Sequence, residues 1–427
     1  MDKENCKASP CRTASVGGQA VIEGVMMKNQ TDVALAIRKA DGTIEISKTE
    51  FHPAKEKHKW LNLPILRGIV GFVESMKLSL KTLGDSTNML GLDELEEKEK
   101  AEKEAKKAKK KAEKEAKKQG VSADKIEKTT ESVSKKEEKP KKKDATTGFV
   151  MVISLILGLA LALFLFMILP TFITDLINIP IDNYGKANRL TEDTLFISML
   201  RDENGLVTGY ALKHVLQAII EGIIRIVIFI VYLASVSLMK DIKRTFSYHG
   251  AEHKSIACYE AGLELTPENA RKCSRFHPRC GTSFLFVMLL ISIIIGIFIP
   301  EFESAPWLRY VLKIATIPVV MGVGYEFIMI AGKHRNWLTR ALSAPGLWMQ
   351  RITTKEPDDY QLAVAICAIK STMPEEFPDF DPSEYFISRE ENKGHILYEE
   401  LKDEAESDSA TEENAEGVSE NTEKSEE

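Results

Sequence analysis

The chain is poor in cysteine, with six in 427 residues, and their spacing is irregular. That argues against a disulfide framework, and in a reducing compartment such thiols stay available as ligands or as buried apolar side chains. No apolar run opens the sequence, so a cleavable secretory signal is not expected. Residues 93–147 contain no aromatic side chain, and acids interleave with their lysines. A groove for nucleic acid needs stacking platforms and unbroken basic charge, so no nucleic-acid partner is expected. Charge of either sign is absent from residues 149–169, a run long enough to cross a bilayer core of about 30 Å.

Three further runs of this kind lie at about 218–239, 284–299 and 311–331. The expected fold is therefore mainly α: a polytopic membrane protein with about four spanning helices and a membrane domain over 148–345. Basic residues mark its cytoplasmic side. Lys141 to Lys143 precede the first run, Lys240, Lys243, Arg244, Arg271, Lys272, Arg275 and Arg279 lie between the second and third, and Lys333, Arg335 and Arg340 follow the fourth. Segments 171–212 and 301–308 are poorer in them. This asymmetry predicts both termini and the 240–281 loop in the cytoplasm of a plasma membrane, with the lipid bilayer as the first partner.

The remaining segments read differently. Residues 1–15 are polar, and disorder is expected there. In 16–92 a small cytoplasmic unit is predicted. Val33, Leu35 and Ile37 alternate, Asp41-Gly42 turns the chain, and Ile44 and Ile46 alternate again, as in a β-hairpin with one buried face. Arg67, Glu74, Lys77 and Lys81 then fall on one stripe of a helix from Pro64 to about Leu83, which suits a membrane interface or packing on the hairpin. Residues 93–147 form a charged linker, helical at first and then disordered. In 346–400 a cytoplasmic helix is expected to begin at Pro357, with Leu362, Ala365, Ile366 and Ile369 as its apolar stripe. An acidic, disordered tail is expected over 401–427.

The chemistry concentrates between Tyr248 and Phe284. His249 and His253 are four apart, so both lie on one face of a helix. Glu252 completes H-x-x-E-H, the reverse of the usual zinc-protease order. His277 and Cys280 follow, with Cys258 and Cys273 between the clusters. These donors suit a divalent metal, zinc first. The metal-ligand candidates are His249, His253, His277 and Cys280, and Glu252 is the candidate base. Glu260, seven residues past His253, is a further ligand candidate. Glu23, inside the apolar run after Gly17-Gly18, is another. Glu221 and Arg225, one turn apart within the second apolar run, are ionisable residues at membrane depth and draw functional suspicion on that ground, as does Glu326 in the fourth.

The string YHGAEHKSIACYEAGLELTPENARKCSRFHPRCGTSF resembles the signature of the YqhQ-like family of bacterial multi-pass membrane proteins. VGGQAVIEGVMMKN at 16–29 and GLWMQRITTKEPDDYQLAVAIC at 346–367 agree with it. The family is catalogued as a domain of unknown function and described as predicted metal-dependent enzymes, so the resemblance implies metal chemistry at a bacterial plasma membrane. Three readings stay open. With three ligands and a water, the site is that of a metal-dependent hydrolase acting on a peptide or lipid-linked substrate at the membrane surface. With four protein ligands, it is a structural zinc in a membrane scaffold or assembly factor. The charges within the apolar runs suit a transporter.

Overall fold

Alternation and two-residue turns organise the first described stretch. In the computed structural model, which describes residues 16–91, 153, 156–177, 210–299, 306–333, 337–388 and 391–392, this stretch is an antiparallel meander. Its strands are β1 (Val16–Val21), β2 (Gly24–Asn29), β3 (Asp32–Arg38) and β4 (Ile44–Glu50), in the order β1-β2-β3-β4. The hairpin expected from 33–46 is the β3–β4 pair, with Ile37 opposite Glu45. The sheet is larger than that hairpin, because the glycine-rich segment adds β1 and β2, with Val21 opposite Gly24. Its alternation is masked by Met26, Met27 and Val25, all buried. A strand covered on both faces reads as a continuous apolar run.

The sheet packs on two helices from distant parts of the chain, α4 (Lys240–Glu260) and α9 (Asp359–Ser371). Val25, Met27 and Ala36 share one core with Tyr248, Ile256, Leu362 and Ile366. Residues 362–369 of α9 are buried without interruption, so this helix is a central one and the expected single stripe is too narrow. Each fully buried Leu or Ile there contributes about 1.5–3 kcal/mol. The helix starts later than Pro357: Asp358 is its N-cap, accepting from the Gln361 N–H at 2.7 Å, while the Gln361 side chain accepts from the Asp358 N–H at 3.2 Å. This reciprocal pair outweighs the preference of proline for the first helical position. Asp358→Ala should therefore cost about 1 kcal/mol, read as a lowered midpoint of thermal unfolding.

The apolar helices are α2 (Ile156–Ile177), α3 (Tyr210–Val236), α6 (Gly281–Ile297) and α7 (Pro306–Lys333). Three contain stretches long and apolar enough to cross a membrane: Ile156–Ile177, Leu216–Val236 and Trp307–Phe327. At 22 residues the first is about 33 Å long. It continues past Pro170, where the expected run stopped, because a π turn at Phe164–Ile168 absorbs the hydrogen bond that proline cannot make. Among the described residues, three of the about four expected spans meet that length, and the run expected at 284–299 lies in a shorter helix: α6 has 17 residues, about 26 Å. Cys280 caps its start, and it lies against α3, α7 and α8 (Trp337–Thr353).

The spanning candidates leave their own side chains uncovered by protein. Leu157 is 68% exposed and Val231 59%. A continuous apolar surface of this kind calls for lipid or a partner. The helix expected from Pro64 is α1 (Leu66–Met89), longer than predicted. Arg67 forms an ion pair with Glu326 of α7, and the Phe72 ring packs against Phe284 at 6.4 Å. Glu326, suspected from the sequence, thus ties α1 to α7. The expectations for residues 1–15, 93–147 and 401–427, and for most of 171–212, fall outside the described residues.

Candidate metal centre

Helix α4 carries both histidines, and its neighbours set their orientation. The segment after α8 crosses α4 closely: the Lys355 N–H donates to Phe246 O at 2.9 Å. A Cβ on Gly250 would stand 2.0 Å from the Lys355 carbonyl oxygen, so only glycine permits this crossing. The crossing brings the Thr353 carbonyl to 2.9 Å from His249 Nδ1. On the other side, α5 (Pro267–Lys272) begins with a Thr266 cap and a proline at its first turn, and leads into the loop whose Arg275 carbonyl lies 2.6 Å from His253 Nδ1. Lys254 supports that loop by donating to the Arg271 carbonyl at 2.8 Å.

A carbonyl oxygen can only accept, so each Nδ1 carries the proton and each Nε2 presents a lone pair. Cys280 meets these lone pairs. Its Sγ is 3.2 Å from His249 Nε2, and donor atoms of His249, His253 and Cys280 all lie within 4.8 Å of one another. As N-cap of α6, Cys280 receives the Thr282 N–H at 3.5 Å. Two imidazoles tied at the far nitrogen and one sulfur fit a divalent metal of the zinc type, with the outer hydrogen bonds that such ligands use. Burial holds the His253 imidazole below its usual pKa, although Cys280 opposes the shift, and so favours the neutral form that ligates.

Glu252 lies beside this group without belonging to it. Its carboxyl is 5% exposed and backs onto Gly18 of β1, whose N–H it accepts and whose Cβ, if present, would come within 3.0 Å of Glu252 Cδ. Burial raises its pKa, while the nearby His249, His277 and the Gly18 N–H work against that rise.

The other candidates stand elsewhere. The His277 ring is 5.7 Å from that of His253, and its Nε2 is 3.5 Å from Glu260. Glu260 shares the His253 face of α4 but lies seven residues on, about 10.5 Å along the axis, where it pairs with Arg279 and His277. Glu23 sits at the β1–β2 turn with φ +50°, paired with Arg244 and accepting from the Tyr248 hydroxyl at 3.1 Å. Glu221 and Arg225 pair at 2.8 Å within α3.

Several residues that shape the site escaped the sequence reading. Buried Gln350 of α8 brackets His277, accepting from its N–H at 2.8 Å and donating to its carbonyl at 2.7 Å. Its amide nitrogen also donates to Ser283 Oγ at 3.1 Å, which pins the 274–283 loop to α8. The carbonyls of Thr353 and Arg275 carry no residue-type signal at all.

The family described as "Protein of unknown function (DUF1385)" matches residues 63–375, which include every donor of this cluster. "Uncharacterized protein YqhQ" of Bacillus subtilis (strain 168) is 32% identical over 359 residues, covering 82% of this chain and 89% of that protein. No solved structure matches. The match spans the spanning candidates, the H-x-x-E-H helix and the Cys280 loop alike, and so the chain belongs to the DUF1385 family.

Proposed function

We propose that this protein is an integral membrane enzyme of a bacterial plasma membrane, a metal-dependent hydrolase working on a peptide or lipid-linked substrate at the cytoplasmic surface. The uncovered apolar helices support the bilayer, and the run of basic residues after α3 supports the cytoplasmic side. The observation that carries the enzyme reading is the set of three converging donors, His249, His253 and Cys280. A tetrahedral ion held by three protein ligands keeps one position for water or substrate.

When bound, a divalent ion supplies Lewis acidity toward an oxygen of water or substrate. The chain's own residues do the rest. Thr353 and Arg275 carbonyls hold the Nδ1 protons in place, and so keep both Nε2 atoms unprotonated. Glu252, next to His253 and shielded by β1, takes up a proton from the attacking water and returns it to the leaving group. Gly18 positions that carboxylate through its N–H.

The test is metal content and thiolate ligation in full-length protein. His249→Ala, His253→Ala and Cys280→Ser should each lose bound zinc, and cobalt-loaded Cys280→Ser should lose the sulfur-to-metal charge-transfer band. Glu252→Gln should keep the ion yet fail to complement a deletion of the gene. Full complementation by Glu252→Gln would sink the base assignment. If His277→Ala strips the ion as thoroughly as His253→Ala, four protein ligands close the site and the role is structural.

A further inference from the structure

Two further thiols, Cys258 and Cys273, lie outside the donor cluster of His249, His253 and Cys280. Cys258 stands on α4 five residues past His253, is 0% exposed, and donates to the Glu264 carbonyl at 3.4 Å. Cys273 is the C-cap of α5, half-buried, and donates to the Asn269 carbonyl at 3.5 Å. Helix α5 packs on α4, and Cys273 packs against the core that contains Cys258. The two side chains meet there and share a hydrogen bond.

Their settings divide the chemistry between them. Cys273 is the thiol that solvent reaches, so a small oxidant meets it first. The hydrogen bond from Cys258 lowers the Cys273 pKa, burial opposes this, and the nearby Lys254 ammonium adds to the lowering. A thiolate is the form that attacks. Cys258 is shut off from solvent, and the Cys273 contact together with burial raises its pKa. Once Cys273 is a neutral sulfenic acid, the charge behind that contact is gone, and Cys258 is beside a sulfur it can attack. Cys367 contrasts with both, since burial within α9 pushes its thiol up to about 12.

From this contact we infer that Cys258 and Cys273 are a reversible redox pair, oxidised to a disulfide by a peroxide. The Cys273 thiolate attacks one oxygen of hydrogen peroxide. An S–O bond forms, the O–O bond breaks, and hydroxide leaves and takes a proton from solvent. The Cys258 sulfur then attacks the Cys273 sulfenic acid. An S–S bond forms, the S–O bond breaks, and the departing hydroxide takes the Cys258 proton as water. Both sulfurs are oxidised, both peroxide oxygens end as water, and a dithiol reverses the change. The link closes a loop of about fifteen residues onto α4. It ends two positions before Arg275, whose carbonyl meets His253 Nδ1, so oxidation fastens the loop that orients this histidine. The inference goes beyond the hydrolase reading and needs only the contact of the two thiols.

The experiment treats reduced full-length protein in detergent micelles with hydrogen peroxide, alkylates remaining thiols under denaturing conditions and maps the fragments by mass spectrometry. Wild-type protein should yield Cys258 and Cys273 in one linked product, two hydrogens lighter and separated by dithiothreitol. Cys258→Ser should instead leave a sulfenic acid on Cys273 that dimedone captures, and Cys273→Ser should leave Cys258 free to alkylate. Amide exchange over residues 274–279 should slow by about tenfold or more in the linked protein, within what closing a loop of this length contributes. Peroxide-treated wild-type protein in which both thiols still alkylate would overturn the pair, whether or not the variants fold. A link from Cys273 to Cys280 would overturn Cys258 as its partner. Equal exchange in linked and reduced protein would overturn the fastening of the loop.

Discussion

Replacing Glu23 by alanine should destabilise the protein by about 3–5 kcal/mol, because it strands a buried guanidinium. The Glu23 side chain is 3% exposed and that of Arg244 18%. The loss extends to Tyr248, 1% exposed, whose hydroxyl donates to the same carboxylate. Burial pushes the Tyr248 phenol well above its usual pKa, so it remains a donor and needs that acceptor. Glu23 also holds a left-handed backbone, φ +50°, a conformation that persists only where the surroundings over-determine it. Relief of that strain can offset only part of the loss, since alanine tolerates the region poorly as well. Thermal unfolding of Glu23→Ala, Arg244→Met and the double variant reads the coupling. The double variant should be less destabilised than the two singles added together, because removing both partners leaves no unpaired charge. A Glu23→Ala protein within about 0.5 kcal/mol of wild type would mean that the sheet is held on α4 by apolar packing alone.

Gly250→Ala should act on stability and on metal affinity together. The new Cβ would occupy space 2.0 Å from the Lys355 carbonyl oxygen, a backbone atom that the Lys355 N–H bond to Phe246 holds near the helix. Overpacking of this kind costs about 1–3 kcal/mol. The shift also carries Thr353 away, two residues before Lys355, and with it the carbonyl that orients His249 Nδ1. Losing an outer hydrogen bond of a ligating histidine lowers metal affinity by about 10–100-fold. Competitive titration with a chromophoric chelator checks this while all three donors remain in the chain. An unfolding midpoint and zinc affinity equal to wild type would show that the 353–357 crossing does not brace the site.

Local pattern carried the parts of this protein that depend on one stretch of chain. His249 and His253 are four apart, and the helical rise alone puts them one turn from each other. The apolar runs announced α2, α3 and α7, because hydrocarbon length is a property of consecutive residues. The β3–β4 hairpin was legible for the same reason, through alternation and Asp41-Gly42. What misled was burial on both sides: β2 shows no alternation, and α9 is buried well beyond the one stripe its sequence suggests, since neighbours cover them all round and periodicity needs an exposed face to contrast with. Pro170 read as the end of a helix, which the π turn avoids.

The choice of third donor lay beyond the sequence. Glu260, His277 and Cys280 are all chemically able, and their separation from His253 along the chain says nothing about distance in space. Packing separated them: helical rise carries Glu260 away to Arg279 and His277, Gln350 clamps the His277 main chain, and the cap of α6 turns Cys280 toward His249. Likewise Glu23 was marked only as an acid among apolar residues, and its partner, Arg244, stands 221 positions away. The sequence by itself determined which residues can ligate and where the long apolar helices are, because residue type and short-range spacing encode those properties. Only the tertiary structure decided which donors converge and which carboxylate is spent on an ion pair, because each is set by contacts between segments that no local pattern records.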